Sequence, residues 1–342
     1  MEYSRKEVNR AGKVLIDDSA LLEEKREALQ VLNYWRSLHS YPINTFQANL
    51  RKQLKKGGFD TAIVAQRLKR VPSIVNKLRR IPSMKLARMH DIGGLRVILN
   101  TINQNNSFQE CFKLCRFRHE LKSEYNYILN PKESGYRGIH LVYKYQNSRV
   151  PLYNDLLVEI QLRTKLQHAW ATAVETMGTF LRYSLKSSEG PEEWLEFFSL
   201  TSSIFALLEK TPPLEKYKNL KINDKVSLLK SMDDELRVTK KLEAFGHTIQ
   251  AIEKRQMRYK YYILILRPDE NRVTIHGYHS DAIEQAVEDY LDFEEQFGEQ
   301  HVDQVVLVSA TSFKNLKSAY PNYFLDTRAF KQKIDSLYVN YS

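Results

Sequence analysis

Cysteine is nearly absent from this 342-residue chain, with Cys111 and Cys115 as the whole complement. They fall at helical spacing with His119, but a structural zinc site takes about four ligands, and no histidine pair completes the set. Disulfide scaffolds and zinc fingers are set aside, and both residues read as reduced thiols. Long hydrophobic runs are also missing: none approaches the ~20 residues that cross a bilayer. The opening Met1-Glu2-Tyr3-Ser4-Arg5-Lys6 has no apolar stretch of the signal-peptide kind, so a cytoplasmic protein with no membrane partner is expected. Internal repeats and low-complexity tracts are lacking. What is present is a 42% hydrophobic composition, enough for two globular domains with a sizeable core.

Charge is plentiful and uneven. The net charge is +11, yet residues 251–342 hold 11 Lys+Arg against 14 Asp+Glu, while residues 1–250 hold 41 against 27. A basic body of this kind suits a polyphosphate or nucleic-acid partner; solvated surface charge is the plainer alternative. The weakly acidic tail reads as a partner module or as a cover for that body.

Periodicity divides the chain. Leu22, Leu29, Leu32, Trp35 and Leu38 repeat at helical spacing behind the capping candidates Asp18 and Ser19, and Pro42 is expected to end that helix. A second helix, from Phe46 to Lys56, carries a basic face. Short strands then alternate with helices: Ala62–Lys69, Leu95–Leu99, Ile139–Tyr145 and Leu156–Arg163 as strands, with helical pieces near Ser73–Arg80 and Ser107–Phe117. Thr164–Leu185, Trp194–Glu209 and Val226–Ile249 read as helices. In the tail, Tyr261–Arg267 and Val273–Tyr278 form a hairpin around Pro268-Asp269-Glu270-Asn271, followed by a helix over Ser280–Phe297, a strand over Asp303–Ser309 and a helical or turn-rich end.

Four segments carry candidate chemistry. Val158 to Thr164 alternates apolar and polar residues, placing Glu159, Gln161 and Arg163 in one row. An acid, an amide and a guanidinium suit a metal ion and phosphates; an ordinary half-buried strand has the same pattern. Arg67, Lys69, Ser73 and Lys77 leave a strand and enter a helix whose free N–H groups, after Pro72, favour an anion. A basic surface helix is the alternative there. Asp91 lies in a loop before a strand, beside Gly93, Gly94 and Arg96. It becomes a metal ligand with Glu159 as the second carboxylate, because Mg²⁺ takes one or two carboxylates plus substrate phosphates. The loop with Lys132, Gly135, Tyr136, Arg137, Gly138 and His140 would expose Tyr136 for stacking on a base, or would plug a core edge with it.

In this order, the four segments resemble the synthetase domain of the RelA/SpoT family over roughly residues 40–185. The resemblance implies a nucleotidyltransferase-like α+β fold, a mixed sheet flanked by helices, and transfer of pyrophosphate from ATP to a ribose 3′-hydroxyl with release of AMP. It implies Asp91 and Glu159 as catalytic and Mg²⁺-holding carboxylates. Arg67, Lys69, Ser73, Lys77 and Arg96 would grip the ATP phosphates. Lys132, Tyr136, Arg137, His140, Gln161 and Arg163 would serve the acceptor. The helix with His168, Trp170 and Glu175 reads as structural support. No His-Asp metal motif of the hydrolase domain found in long members precedes Phe46.

The expected organisation is amino-terminal helices (1–60), a synthetase core (61–190), a helical connector (191–250) and a carboxy-terminal regulatory domain (251–342). That last part resembles the tail of CapRel proteins, fused toxin–antitoxins of the same family. There a small α/β domain, zinc-finger-like without metal ligands, blocks the ATP site with a tyrosine pair, matched here by Tyr320 and Tyr323. This likeness implies a tRNA 3′ end as acceptor, inhibition of translation, and release of the block by a phage protein such as a capsid protein. GDP or GTP as acceptor and a non-catalytic RNA-binding protein are the alternatives.

Overall fold

The computed structural model describes residues 3–181, 183–247, 259–267, 272–297, 304–309 and 327–341. Its centre is an eight-stranded mixed sheet. In chain order the strands are β1 (Ile63–Leu68), β2 (Gly93–Leu99), β3 (Glu120–Asn126), β4 (Ile139–Lys144), β5 (Leu157–Thr164), β6 (Tyr261–Arg267), β7 (Arg272–Tyr278) and β8 (Gln304–Ser309). They lie side by side as β3-β4-β5-β2-β1-β8-β6-β7. β2 and β5 pair in parallel, with Gly94 opposite Glu159 and Arg96 opposite Gln161. The other described pairings are antiparallel.

Three helices precede the sheet: α1 (Arg5–Val14), α2 (Leu22–Leu38) and α3 (Ser40–Lys56). The sequence pattern had missed α1, which is capped by a reciprocal Ser4–Glu7 pair. α2 does not start at Asp18 or Ser19; the Glu24 carboxylate instead accepts the Leu21 N–H at 2.8 Å. Nor does Pro42 end it. Pro42 lies in the first turn of α3, where a missing N–H breaks no helical bond. α4 (Val71–Arg80) follows β1 and α5 (Ile102–Lys113) follows β2. Next come α6 (Lys165–Leu181), α7 (Glu192–Leu208), α8 (Ile222–Leu236) and α9 (Val238–His247). The single helix expected over Val226–Ile249 is broken at Arg237, which takes a left-handed conformation, φ 54°. α10 (Ile283–Phe297) and α11 (Arg328–Asn340) complete the described helices.

The apolar side chains of β5, Val158, Ile160 and Leu162, are fully buried against Phe46 and Leu50 of α3 and Phe108 and Phe112 of α5. Tyr290 of α10 belongs to the same core. A second core joins α6, α7, α8 and α9 to Phe330 and Ile334 of α11. A third joins α1, α2 and α4. The hairpin–helix–strand order expected of the tail is present as β6, β7, α10 and β8. β8 pairs with β1 through Arg67 and Val308, so the tail strands extend the central sheet. Turn residues 268–271 and the pair Tyr320 and Tyr323 lie outside the described residues.

Candidate active site

The polar row of β5 faces away from the apolar core, and its neighbours are set by register. His140 of β4 lies opposite Gln161, and on the other side Gln161 faces Arg96 of β2. Arg67 of β1 lies opposite Gly94, which in turn faces Glu159. Period-two alternation thus brings four strands' polar residues to one sheet face.

Glu159 is buried, 4% exposed, and fully engaged. His140 Nδ1 donates to its Oε1 at 2.9 Å and Gln161 Nε2 donates to its Oε2 at 2.7 Å. His90 Nε2 approaches Oε1 at 3.6 Å. Burial pushes this carboxyl up, but His140 outweighs it and brings the pKa down to about 2, against a raising influence from Asp91. Asp91 precedes β2 and holds two ammonium groups, Lys69 Nζ at 2.9 Å and Lys77 Nζ at 2.8 Å. Burial again opposes ionisation, and the two lysines override it, holding Asp91 well below the usual carboxylate range. The two acids therefore share one site and feel each other's charge.

Tyr136 departs from expectation. It is buried, 3% exposed, rather than open for stacking. Gly135 (φ +87°) and Gly138 (φ +152°) let the loop turn inward. A Cβ on Gly135 would meet Ser202 at 2.8 Å, so the loop is packed tightly against α7. The Tyr136 hydroxyl lies 2.5 Å from His140 Nε2 and accepts from Arg163 Nη2 at 2.9 Å. Burial raises its pKa, yet Arg163, His140 and Lys186 together bring it down to about 7. His140 is raised in turn: burial lowers it, and Tyr136 and Glu159 outweigh that.

Arg137 is buried and held by the protein itself. Its Nε donates to Ser202 Oγ at 3.1 Å and its Nη1 to the Ile128 carbonyl at 3.1 Å, so it fastens the loop to α7. Gly93 and Gly94 belong to β2 and form no bend; at Gly93 a Cβ would strike Ile43 at 2.8 Å, so its bareness admits α3. Lys132 is exposed, with its ammonium 4.6 Å from the Tyr127 ring centre and 5.4 Å from that of Tyr136. Ser73 is half-buried in the first turn of α4. Gln161 Oε1 accepts from Arg163 Nη2 at 3.0 Å.

Glu175 does more than brace α6. Lys186 Nζ binds its Oε1 at 2.6 Å. Burial raises its pKa, but Lys186, Arg96, Arg67 and Arg163 hold it well below the carboxylate range. Glu175 is thus the counter-charge at the centre of the cation cluster, and Lys186 is a site residue the sequence pattern did not single out. Trp170, by contrast, is support, its Nε1 donating to the Phe198 carbonyl at 2.8 Å.

The start of α4 is already occupied. Glu294 Oε1 of α10 accepts the Val71 N–H at 3.1 Å. Its Oε2 lies 2.5 Å from Nη2 of the fully buried Arg36. Arg36 also donates through Nη2 to the Tyr290 hydroxyl at 2.7 Å and through Nε to the Lys69 carbonyl at 3.0 Å. The tail helix is thereby tied to the segment that holds Asp91.

Residues 66–184 match the family described as the region found in RelA/SpoT proteins. The matched stretch includes Arg67, Lys69, Asp91, Tyr136, His140, Glu159 and Glu175, whereas Lys186, Ser202, Arg36, Tyr290 and Glu294 lie outside it. The chain is 38% identical over 111 residues to the GTP pyrophosphokinase YjbM of Bacillus subtilis, covering 32% of this chain and 52% of that protein. It is 28% identical over 193 residues to the guanosine-3′,5′-bis(diphosphate) 3′-pyrophosphohydrolase of Aquifex aeolicus, covering 55% of this chain and 25% of that one. It thus spans about half of the first relative and a quarter of the second. Among solved structures, the small alarmone synthetase 1 of Bacillus subtilis bound to its product pppGpp is 26% identical, with a TM-score of 0.43, over 52% of this chain and 92% of that one. No described helix is long and apolar enough to cross a membrane.

Proposed function

We propose that the chain is an ATP-dependent pyrophosphotransferase that acts on a ribose 3′-hydroxyl, with the 3′ end of tRNA as acceptor and inhibition of translation as the result. The observation that carries the reading is the convergence of Asp91, in the loop before β2, and Glu159, on β5, beside a field of cations, within the stretch that matches the RelA/SpoT region. Lys69, Lys77, Arg67 and Arg96 would exchange their carboxylate partners for ATP phosphates, with Ser73 at the head of α4. Positioning and charge stabilisation would supply most of the rate. Glu159 is aimed to receive the hydroxyl proton, His140 to hold that carboxylate, and Gln161 and Arg163 to fix both. Tyr136 acts through His140, and Lys132 stands nearest the solvent for acceptor phosphates.

Asp91 and Glu159 suit Mg²⁺ by donor chemistry, both being hard carboxylate oxygens. Among the described residues no group of three or more His, Cys, Asp or Glu could enclose a metal. An ion here would therefore share two carboxylates with phosphate oxygens and water, as magnesium commonly does. It would neutralise charge on the transferred pyrophosphate.

The tail would hold the enzyme in check until a phage protein binds it. In support, Glu294 places a carboxylate on the α4 start, where an ATP phosphate would otherwise sit. Tyr320 and Tyr323 would add the aromatic part of the block. A latch of this kind must favour the closed state by only a few kcal/mol for a partner to open it. Tyr320→Ala, Tyr323→Ala and Glu294→Ala should each raise activity and arrest growth, and Glu159→Ala should abolish the arrest. Harmless variants at normal expression levels would dismiss the latch.

The acceptor has a second reading. Relatives named GTP pyrophosphokinase favour GDP or GTP, giving an alarmone synthetase. ATP labelled on its γ-phosphate should be offered GDP, GTP and deacylated tRNA side by side. Label on tRNA supports the first reading, label on a guanosine nucleotide the second, and label on none dismisses pyrophosphate transfer.

A further inference from the structure

The burial of Tyr136 leaves the site without the exposed ring that its loop was expected to present, yet an exposed aromatic does flank it. Tyr125 lies on β3, at the edge of the sheet, and Tyr127 just past the end of that strand. Tyr125 sits opposite His140 in the β3–β4 register and is 39% exposed. Its ring is parallel to that of Tyr127, at 4° and 6.0 Å between centres. The His90 ring lies at 26° to it, with 6.3 Å between centres. These rings adjoin the reacting centre, with His90 Nε2 3.6 Å from Glu159. Tyr127 meets His140 edge-on at 5.1 Å and carries the Lys132 ammonium 4.6 Å from its centre.

Packing alone does not account for this arrangement. A tyrosine closing a core would be covered, and Tyr125 is not. A solvated edge strand is blunted by charge, and here its exposed position 125 holds a ring parallel to that of the half-buried Tyr127. Aromatic rings gathered beside a reacting centre, with a cation among them, match unpaired bases joined by phosphates. A mononucleotide has one base and would use only one of the rings.

We propose that His90, Tyr125 and Tyr127 form a stacking platform for the unpaired bases next to the reacting ribose at the 3′ end of an RNA acceptor. The platform rests on the transferase reading above and deepens it by naming how the acceptor is held. It makes Tyr125 a residue that sets acceptor choice.

Tyr125→Ala should raise the KM for deacylated tRNA about tenfold, the loss expected for one base stacked on a ring. The KM for ATP should stay within twofold, and Tyr125→Phe should restore tRNA use. In Tyr125→Trp, the added fluorescence relative to the parent chain should be quenched saturably by a short single-stranded RNA ending in CCA, and more weakly by GTP. An unchanged tRNA KM in Tyr125→Ala would overturn the platform. So would absent quenching, or quenching by GTP as tight as by RNA. Fluorescence needs no turnover: a parent chain that transfers nothing would dismiss the transferase reading while the RNA arm still decided the platform.

Discussion

Val158, Ile160 and Leu162 on one face of β5, and Glu159 and Arg163 on the other, are buried to nearly the same depth. Their energetics are opposite. Each apolar side chain contributes about 1.5–3 kcal/mol on leaving water. A buried carboxylate or guanidinium costs several kcal/mol on the order of a Born penalty, offset only where partners surround it. Glu159 has His140 and Gln161 for this purpose, and Arg163 has Tyr136 and Gln161. One face of the strand therefore stabilises the fold unaided, and the other, costly by itself, is held ionised only by its partners. Burial alone says nothing about purpose; what fills the buried position does.

The largest effect should come from the costly face. Glu159→Gln keeps the shape and removes the acceptor of the hydroxyl proton, so kcat should fall about 10²–10⁴-fold. The melting temperature should fall as well, because His140 loses its charged partner. Retained turnover would erase the contrast between the faces. Ile160→Ala, one residue along, should act on stability alone, which should drop by about 2–5 kcal/mol in denaturant titrations while the folded fraction keeps its specific activity.

A spectroscopic test sharpens the comparison. Tyr136 should appear as tyrosinate by ultraviolet difference absorbance near neutral pH, since its pKa lies at about 7. The unfolded chain holds that proton up to about pH 10, so between those values the unfolded state binds more protons and stability rises with pH. The contribution is complete above about 10 and is lost as pH falls through about 7. Lys186→Met should move the titration upward by about one unit, roughly 1.4 kcal/mol. A Tyr136 that titrates at the ordinary tyrosine position would mean the cation cluster is looser than the distances imply. The smallest effect belongs to the rim. Asp155→Asn, which breaks the solvent-facing Lys144–Asp155 pair, 2.9 Å apart, should leave the melting temperature almost unchanged. A marked fall would show that the boundary between core and rim is misplaced.

Much of the sheet could be read from the chain because period-two alternation survives burial on both faces. β1, β2, β4 and β5 fall within a few residues of their expected bounds. β3 was missed because Glu120 to Asn126 is an edge strand of mostly polar residues with half-open burial, which resembles a loop in sequence. The break at Arg237 was missed because a left-handed arginine carries no glycine to announce it. Asp91 and Glu159 could be paired in advance because both adjoin strands. Glu175 and Lys186 could not: they lie on a helix and beyond it, and spacing does not encode which cations surround a distant carboxylate. Tyr136 and Arg137 misled because flanking glycines suggest openness, whereas positive φ can equally fold a loop inward.

The junction between β8 and β1 has a practical consequence. Severing the tail to obtain an unrestrained enzyme would uncover the outer side of β1, at Gln66 and Arg67. Bare N–H and C=O groups there would offer a template for a neighbouring molecule's strand. A truncated chain should thus tend to self-associate, and point substitutions are the safer way to open the site.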